Sequence, residues 1–207
     1  IGPGQYWLWI GSVFSALEPV PFFMMVMFAF KMVRQRRHQH GNKIAVTWAL
    51  GTSVMGFLGA GVWGFLHTLA PVNYFTHGTQ LTAAHGHLAF FGAYVMIVIT
   101  IISYAMPIMR GRPQGNPAVA QKVETAAFWL MCISMLGITL ALTVAGAYQV
   151  ALQRIPEDAQ ALSFMATQDK LMPIYWVRLA FGGTFTLGLL MYFSSFFVGS
   201  KQAVLEN

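Results

Sequence analysis

Two histidines one residue apart, His85 and His87 in LTAAHGHLAFFGAY, stand where the chain is otherwise apolar. An α-helix turns about 100° per residue, so side chains two positions apart point roughly 200° away from each other. One metal ion cannot be shared by such a pair, and the i, i+4 spacing of a zinc-type HExxH pair is absent. The spacing suits two cofactors, one on each face of a helix. Neutral imidazole is a good axial ligand for haem iron, and Gly86 keeps the helix slim where two flat macrocycles would approach. Hydrogen bonds from both rings to neighbouring helices remain an alternative on these residues alone. Glu18 is the second chemically informative residue. It lies 12 residues past Tyr6, which is about 18 Å along a helix and close to mid-membrane. A carboxyl there is expensive unless it is neutral or faces a polar pocket, and such a group suits proton transfer. Pro19 and Pro21 cannot donate to the carbonyls of Ser15 and Leu17, so two free acceptors are expected beside the acid. A purely structural buried glutamate is the plainer alternative.

Residues of this kind need elements to hold them, and composition says which. The 207 residues include 12 basic and 6 acidic side chains, 9% charged, where a soluble domain carries about 25%. Hydrophobic residues reach 57%. Disorder, a disulfide-stapled secreted module and a nucleic-acid partner are excluded, and the lipid bilayer becomes the expected surroundings. Five apolar stretches, about 6–30, 44–70, 80–108, 125–152 and 173–198, each reach the roughly 20 residues a helix needs to cross a bilayer. They lack period-two alternation, so helices are favoured over a barrel. The predicted fold is all-α, a polytopic membrane bundle of five transmembrane helices forming a single membrane domain over 1–207. Cys132 is the only cysteine and lies in an apolar run, so neither a disulfide nor a cysteine metal site is expected within the chain. Ile1 opens the sequence without a charged leader; no signal peptide is expected, and the chain reads as a fragment or a processed product.

Loop charges give the topology. Lys31, Arg34, Arg36, Arg37, Lys43, Arg110, Arg112, Lys122 and Lys201 fall at one end of a five-span bundle. Arg154, Lys170 and Arg178 fall toward the other, offset by Glu157, Asp158 and Asp169. The positive-inside rule places the first group in the cytoplasm and the amino terminus outside. The longest outer loop, QRIPEDAQALSFMATQDKLM, has room for a short surface helix. In GFLGAGVWG, Gly56, Gly59, Gly61 and Gly64 permit close approach of a neighbouring backbone or of a flat cofactor. His38 and His40 in the basic loop read as solvated, His67 suits a neighbour as well as a cofactor, and Arg178 suits a propionate as well as Asp169. The Met and Phe stripes of PFFMMVMFAF read as lipid-facing or packing surface.

The segments HGTQLTAAHGHLAFFGAY, GAGVWGFLHTLAPVNYFTHG, FSALEPVPFF and FMATQD together resemble the large catalytic subunits of bacterial cytochrome c-dependent nitric oxide reductases, within the haem-copper oxidase superfamily. The resemblance covers essentially the whole chain. It implies that these are the last five helices of a twelve-helix fold, and that the reaction is reduction of two nitric oxide molecules to nitrous oxide and water. It further implies two haem b groups, with His85 the axial ligand of the high-spin haem and His87 one axial ligand of the low-spin haem. Thr68, Asn73 and His77 match donors around the high-spin haem propionates, and as hydroxyl, amide and imidazole they suit anions. For Asn73 and His77, ordinary loop polarity is the alternative. Glu18 matches an acid close to the active site. A non-haem iron is implied, with its three histidines and glutamate on helices earlier than any here, and so is calcium near the haem propionates.

Implied partners are the amino-terminal part of the same subunit and a membrane-anchored c-type cytochrome, in the bacterial inner membrane; the LTAAHGH wording favours the cytochrome-dependent over the quinol-dependent branch. Two other readings stand beside this one. A haem-copper terminal oxidase shares the HxH helix but would reduce oxygen and need copper, and Glu18 stands where many oxidases place a lysine. A non-catalytic, transporter-like bundle needs no haem at all.

Overall fold

A computed structural model of the chain describes residues 4–36, 38, 40–112, 115–156 and 160–198. Of the charges that set the expected topology, Arg37, Lys201, Glu157 and Asp158 lie outside the described residues. Five helical spans are long and apolar enough to cross a membrane: Tyr6–Arg34, Lys43–Thr68, Gln80–Met109, Ala118–Gln153 and Phe164–Ser195. The chain is an α-helical integral membrane bundle.

The spans are not uniform helices. The first is divided into α1 (Gln5–Ser15) and α2 (Pro19–Arg34) by a turn at residues 16–18. Pro19 and Pro21 lack the N–H groups that would continue the ladder, so the backbone tightens instead. The Glu18 N–H donates to the Ser15 carbonyl at 3.0 Å and the Val20 N–H to the Leu17 carbonyl at 3.1 Å. The two carbonyls expected to be free beside Glu18 are therefore occupied.

The second span consists of α3 (Lys43–Gly56), a π-helical stretch Phe57–Trp63 and α4 (Gly64–Thr68). It opens on an Asn42 cap, whose side-chain oxygen accepts the Ala45 N–H at 3.2 Å, and stops at Leu69, which is extended. The short α5 (Ala70–Thr76) follows with Pro71 in its first turn, where a missing N–H is tolerated. The third span repeats the pattern with α6 (Gln80–Phe90), a π-helical stretch Phe91–Val95 and α7 (Met96–Met109). The fourth span is the unbroken α8 (Ala118–Gln153). The fifth is α9 (Phe164–Ser195), which starts in the stretch expected to be outer loop because Ser163 caps it, its hydroxyl accepting the Ala166 N–H at 3.2 Å.

Burial is strongly uneven. Along α8, Glu124, Ala127, Phe128, Met131, Met135, Ile138, Leu142 and Ala145 are buried, a stripe at helical period. They meet a core built around Trp48, whose ring packs edge-on against Phe128 at 4.9 Å and Tyr192 at 5.7 Å. Glycines set the helix crossings. A Cβ on Gly59 would lie 2.4 Å from the Ala89 backbone nitrogen, and one on Gly92 equally close to the Gly56 nitrogen. Backbone contact of this kind is how membrane helices pack without a hydrophobic driving force between them. By contrast α2 has no buried residue, and the apolar surface of the first span, Tyr6, Trp7, Trp9, Phe14 and Phe28 among it, stands exposed.

Candidate functional site

The α6 backbone presents His85 and His87 to opposite flanks. His85 turns toward the second span, where its Nδ1 lies 3.0 Å from the Gly59 carbonyl. His87 bonds through Nδ1 to the Ala83 carbonyl one turn back on its own helix, at 2.8 Å. A carbonyl only accepts, so both rings carry the proton on Nδ1 and leave the Nε2 lone pair outward. Fixing one ring nitrogen on an acceptor so that the other is a basic ligand is how a histidine is prepared for a metal. Both rings are half-buried.

The surroundings of the two flanks differ. On the His85 side, a Cβ placed on Gly64 would be 3.4 Å from His85 Cε1 and 3.9 Å from Glu18 Oε2. Glycine at 64 thus leaves open a small space bordered by both the imidazole and the carboxylate. Glu18 is exposed on this chain, and its carboxylate has no hydrogen bond or ion pair among the described residues. On the His87 side, a cleft of about 390 Å³ is lined by Ile138 of α8 and by Tyr175, Trp176, Arg178, Leu179 and Gly182 of α9. Its size falls within the range of small-molecule sites. Arg178 faces this cleft and forms no ion pair with Asp169, and Tyr175 donates to Gln168 Oε1 at 2.6 Å.

The donor set fits haem. Each histidine offers one free nitrogen, each flank is apolar with a small number of polar groups, and Gly86 stands in open space between the two.

The outer-end residues are arranged more loosely. Thr68 ends α4 with its hydroxyl donating to the Phe65 carbonyl at 2.7 Å. Asn73 lies half-buried in α5, and its carbonyl accepts the His77 N–H. His77 follows α5, exposed, with its own carbonyl near Arg154 at 3.4 Å. The three lie along one short connection between the second and third spans, and their side chains make no bond to one another.

Two residues that the sequence did not single out as strong candidates are well placed. His67 stacks on His85, ring centroids 5.2 Å apart and planes inclined at 25°. Glu124, fully buried at the basic end of α8, accepts from Asn116 Nδ2 at 2.7 Å and Ser195 Oγ at 3.2 Å, while its Oε2 has no partner. A signal for Glu124 exists in the sequence: it continues the apolar stripe of α8 three and four residues before Ala127 and Phe128. His40, expected to be solvated, is instead half-buried, packs against Tyr104 at 6.0 Å and accepts the Asn42 N–H at 3.1 Å. Among the described residues no group of three or more His, Cys, Asp or Glu could hold a metal ion.

The chain is 61% identical over 196 residues to a nitric oxide reductase subunit of Stutzerimonas stutzeri; the match covers 95% of this chain and 41% of that protein. The chain therefore spans about two fifths of the length of the curated relative it matches. Residues 1–199 match the family described as cytochrome c and quinol oxidase polypeptide I. A five-span bundle with an HxH helix, matched over nearly all its length, belongs to the cytochrome c and quinol oxidase polypeptide I family.

Proposed function

We propose that this chain is the carboxyl-terminal, haem-holding part of a nitric oxide reductase large subunit, which reduces two nitric oxide molecules with two electrons and two protons to one nitrous oxide and one water. The observation that carries this reading is the pair His85 and His87 on one helix, each fixed through Nδ1 and open at Nε2, facing opposite flanks. Identity of 61% to a protein whose name is that of a nitric oxide reductase supports it. Membership of an oxidase family implies haem and metal cofactors in general.

His85 would hold the high-spin haem b and His87 the low-spin haem b. When bound, the two haems supply a one-electron relay and a reducible iron beside the substrate. The residues here do the rest. The Gly59 and Ala83 carbonyls keep both imidazoles in the ligating tautomer. The short α6 backbone sets the distance between the flanks, and Arg178 offers its cation to an anionic group in the His87 cleft. Glu18 holds a proton at Oε2 on the His85 flank and releases it as charge builds there. Because a carboxylate facing lipid is expensive, its exposed side is covered in the whole protein by preceding helices of the same polypeptide. Those helices would also supply the ligands of a non-haem iron. Thr68, Asn73 and His77 would stand near the haem propionates; none is a carboxylate, so this chain contributes little of the hard oxygen set that calcium prefers. A membrane-anchored c-type cytochrome would deliver the electrons. The basic ends of the spans would face the cytoplasm of a bacterial inner membrane.

The test is turnover of the purified full-length protein, assembled with its electron donor, on nitric oxide and on oxygen. Nitrous oxide formed at one per two nitric oxide consumed is the expected outcome. Oxygen consumption without nitrous oxide would make this an oxidase, and no reaction with either would leave a non-catalytic bundle.

A further inference from the structure

The His85 flank contains a second imidazole that the proposed mechanism does not use. His67 ends one ring away from His85: its Nδ1 lies 2.9 Å from the Trp63 carbonyl, one turn back on its own helix, and its Nε2 is buried with no partner. The two ring centroids lie 5.2 Å apart with their planes inclined at 25°. This is the offset-stacked arrangement that aromatic pairs favour. An unpaired buried polar atom is unfavourable, so a contact made by the His67 ring must offset the cost of leaving Nε2 bare. His67 has one nitrogen fixed and the other directed into the interior beside a proposed ligand.

A single hydrogen bond from Nδ1 to Gly59 fixes one edge of the His85 ring, but it leaves the ring free to rock about the line of that bond. A flat ring against its face removes that freedom. The π-helical stretch Phe57–Trp63 sits immediately before α4 and supplies both holds, the Gly59 carbonyl to His85 and the Trp63 carbonyl to His67. One irregular turn thus fixes two imidazoles. π-bulges inside α-helices are frequent at functional sites for this kind of reason.

We propose that His67 is a positioning residue for the high-spin haem site: its ring fixes the plane of His85 and so the orientation of the bond from His85 Nε2 to the iron. The inference rests on the assignment of His85 as a haem ligand. Plane orientation is visible without turnover, in the iron–histidine stretching band of the reduced high-spin haem measured by resonance Raman. The full-length protein is prepared with His67→Ala, which removes the stack, and with His67→Phe, which keeps a flat ring of similar reach but no nitrogen. In the Ala variant the band shifts and broadens as the imidazole samples several orientations, while the Phe variant keeps the band of the unsubstituted protein. An unchanged band in His67→Ala overturns the proposal. So does a Phe variant as disturbed as the Ala variant, because the nitrogen and not the stack would then matter. The low-spin haem spectrum, which depends on His87, is the internal control: loss of both haem signals in His67→Ala would assign His67 to assembly and also overturn it. Failure of the underlying assignment looks different, since the unsubstituted protein would then show no iron–histidine band that disappears in His85→Ala.

Discussion

At the scale of single residues, chemistry follows from which atoms are already committed. His85 and His87 have Nδ1 engaged on carbonyls and Nε2 to offer; the Thr68 hydroxyl proton is engaged on Phe65; the Glu18 carboxylate is uncommitted among the described residues. Replacing Glu18 by Gln keeps shape and hydrogen-bonding capacity but removes the proton, so nitric oxide reduction should fall by about 10²- to 10⁴-fold, the usual contribution of a general acid or base. Haem absorption should stay unchanged in the same preparation. Turnover equal to that of the unsubstituted protein would take Glu18 out of the mechanism. Much of this was legible in the sequence, because a two-residue spacing on a helix dictates opposite directions whatever the surroundings. The rest depended on non-local contacts. The stacking of His67 on His85 joins residues from different spans, and periodicity within either span carries no trace of it. The prolines beside Glu18 misled for a physical reason: a missing N–H was expected to free two carbonyls, but the chain closed into i+3 bonds that used them.

Among the elements, close helix approach positions the histidines, and its glycines divide into those that hold the crossing and those that border the site. Gly59 faces backbone, where a Cβ would be 2.4 Å from the Ala89 nitrogen; Gly64 faces side chains, where a Cβ would find 3.4 Å or more. Gly59→Ala must push the second and third spans apart and loosen the Gly59–His85 bond. It should lower thermal stability by about 1 to 3 kcal/mol or more, as overpacking does, and weaken the high-spin signal. Gly64→Ala should leave stability nearly unchanged. Equal thermal behaviour of the two variants would contradict the assigned crossing. At the entry to α9, Ser163→Ala removes the hydroxyl that caps Ala166 and should cost about 1 kcal/mol in a denaturation midpoint. The five spans were readable from apolar runs because the bilayer demands length. The π-helical stretches were not, since glycine-rich apolar sequence is equally compatible with regular helix. The early start of α9 was hidden because Phe164–Asp169 looks too polar to belong to a span that only later becomes apolar.

For the whole molecule, uneven burial is the informative feature. The fourth span buries one face against its neighbours and leaves the other, with Trp129, Ile133 and Leu140, exposed, whereas α2 has no buried residue and Glu18 stands on an uncovered face. The chain spans 41% of a relative's length, and on the proposed reading further helices of the same protein cover this face in the membrane. The proposed orientation rests on the basic ends: a cysteine placed in the loop near Arg112, in an otherwise cysteine-free background, should react with a membrane-impermeant reagent only after the cytoplasmic face is opened. Labelling from the intact outer face would invert the topology. The proposed chemistry depends throughout on one helix serving two haems. The most direct measurement is the optical and electron paramagnetic resonance spectrum of the full-length protein with His85→Ala and, separately, with His87→Ala. The expected result is loss of the high-spin signal alone in the first and of the low-spin signal alone in the second. If either variant retains both signals, the two flanks of α6 do not hold separate haems.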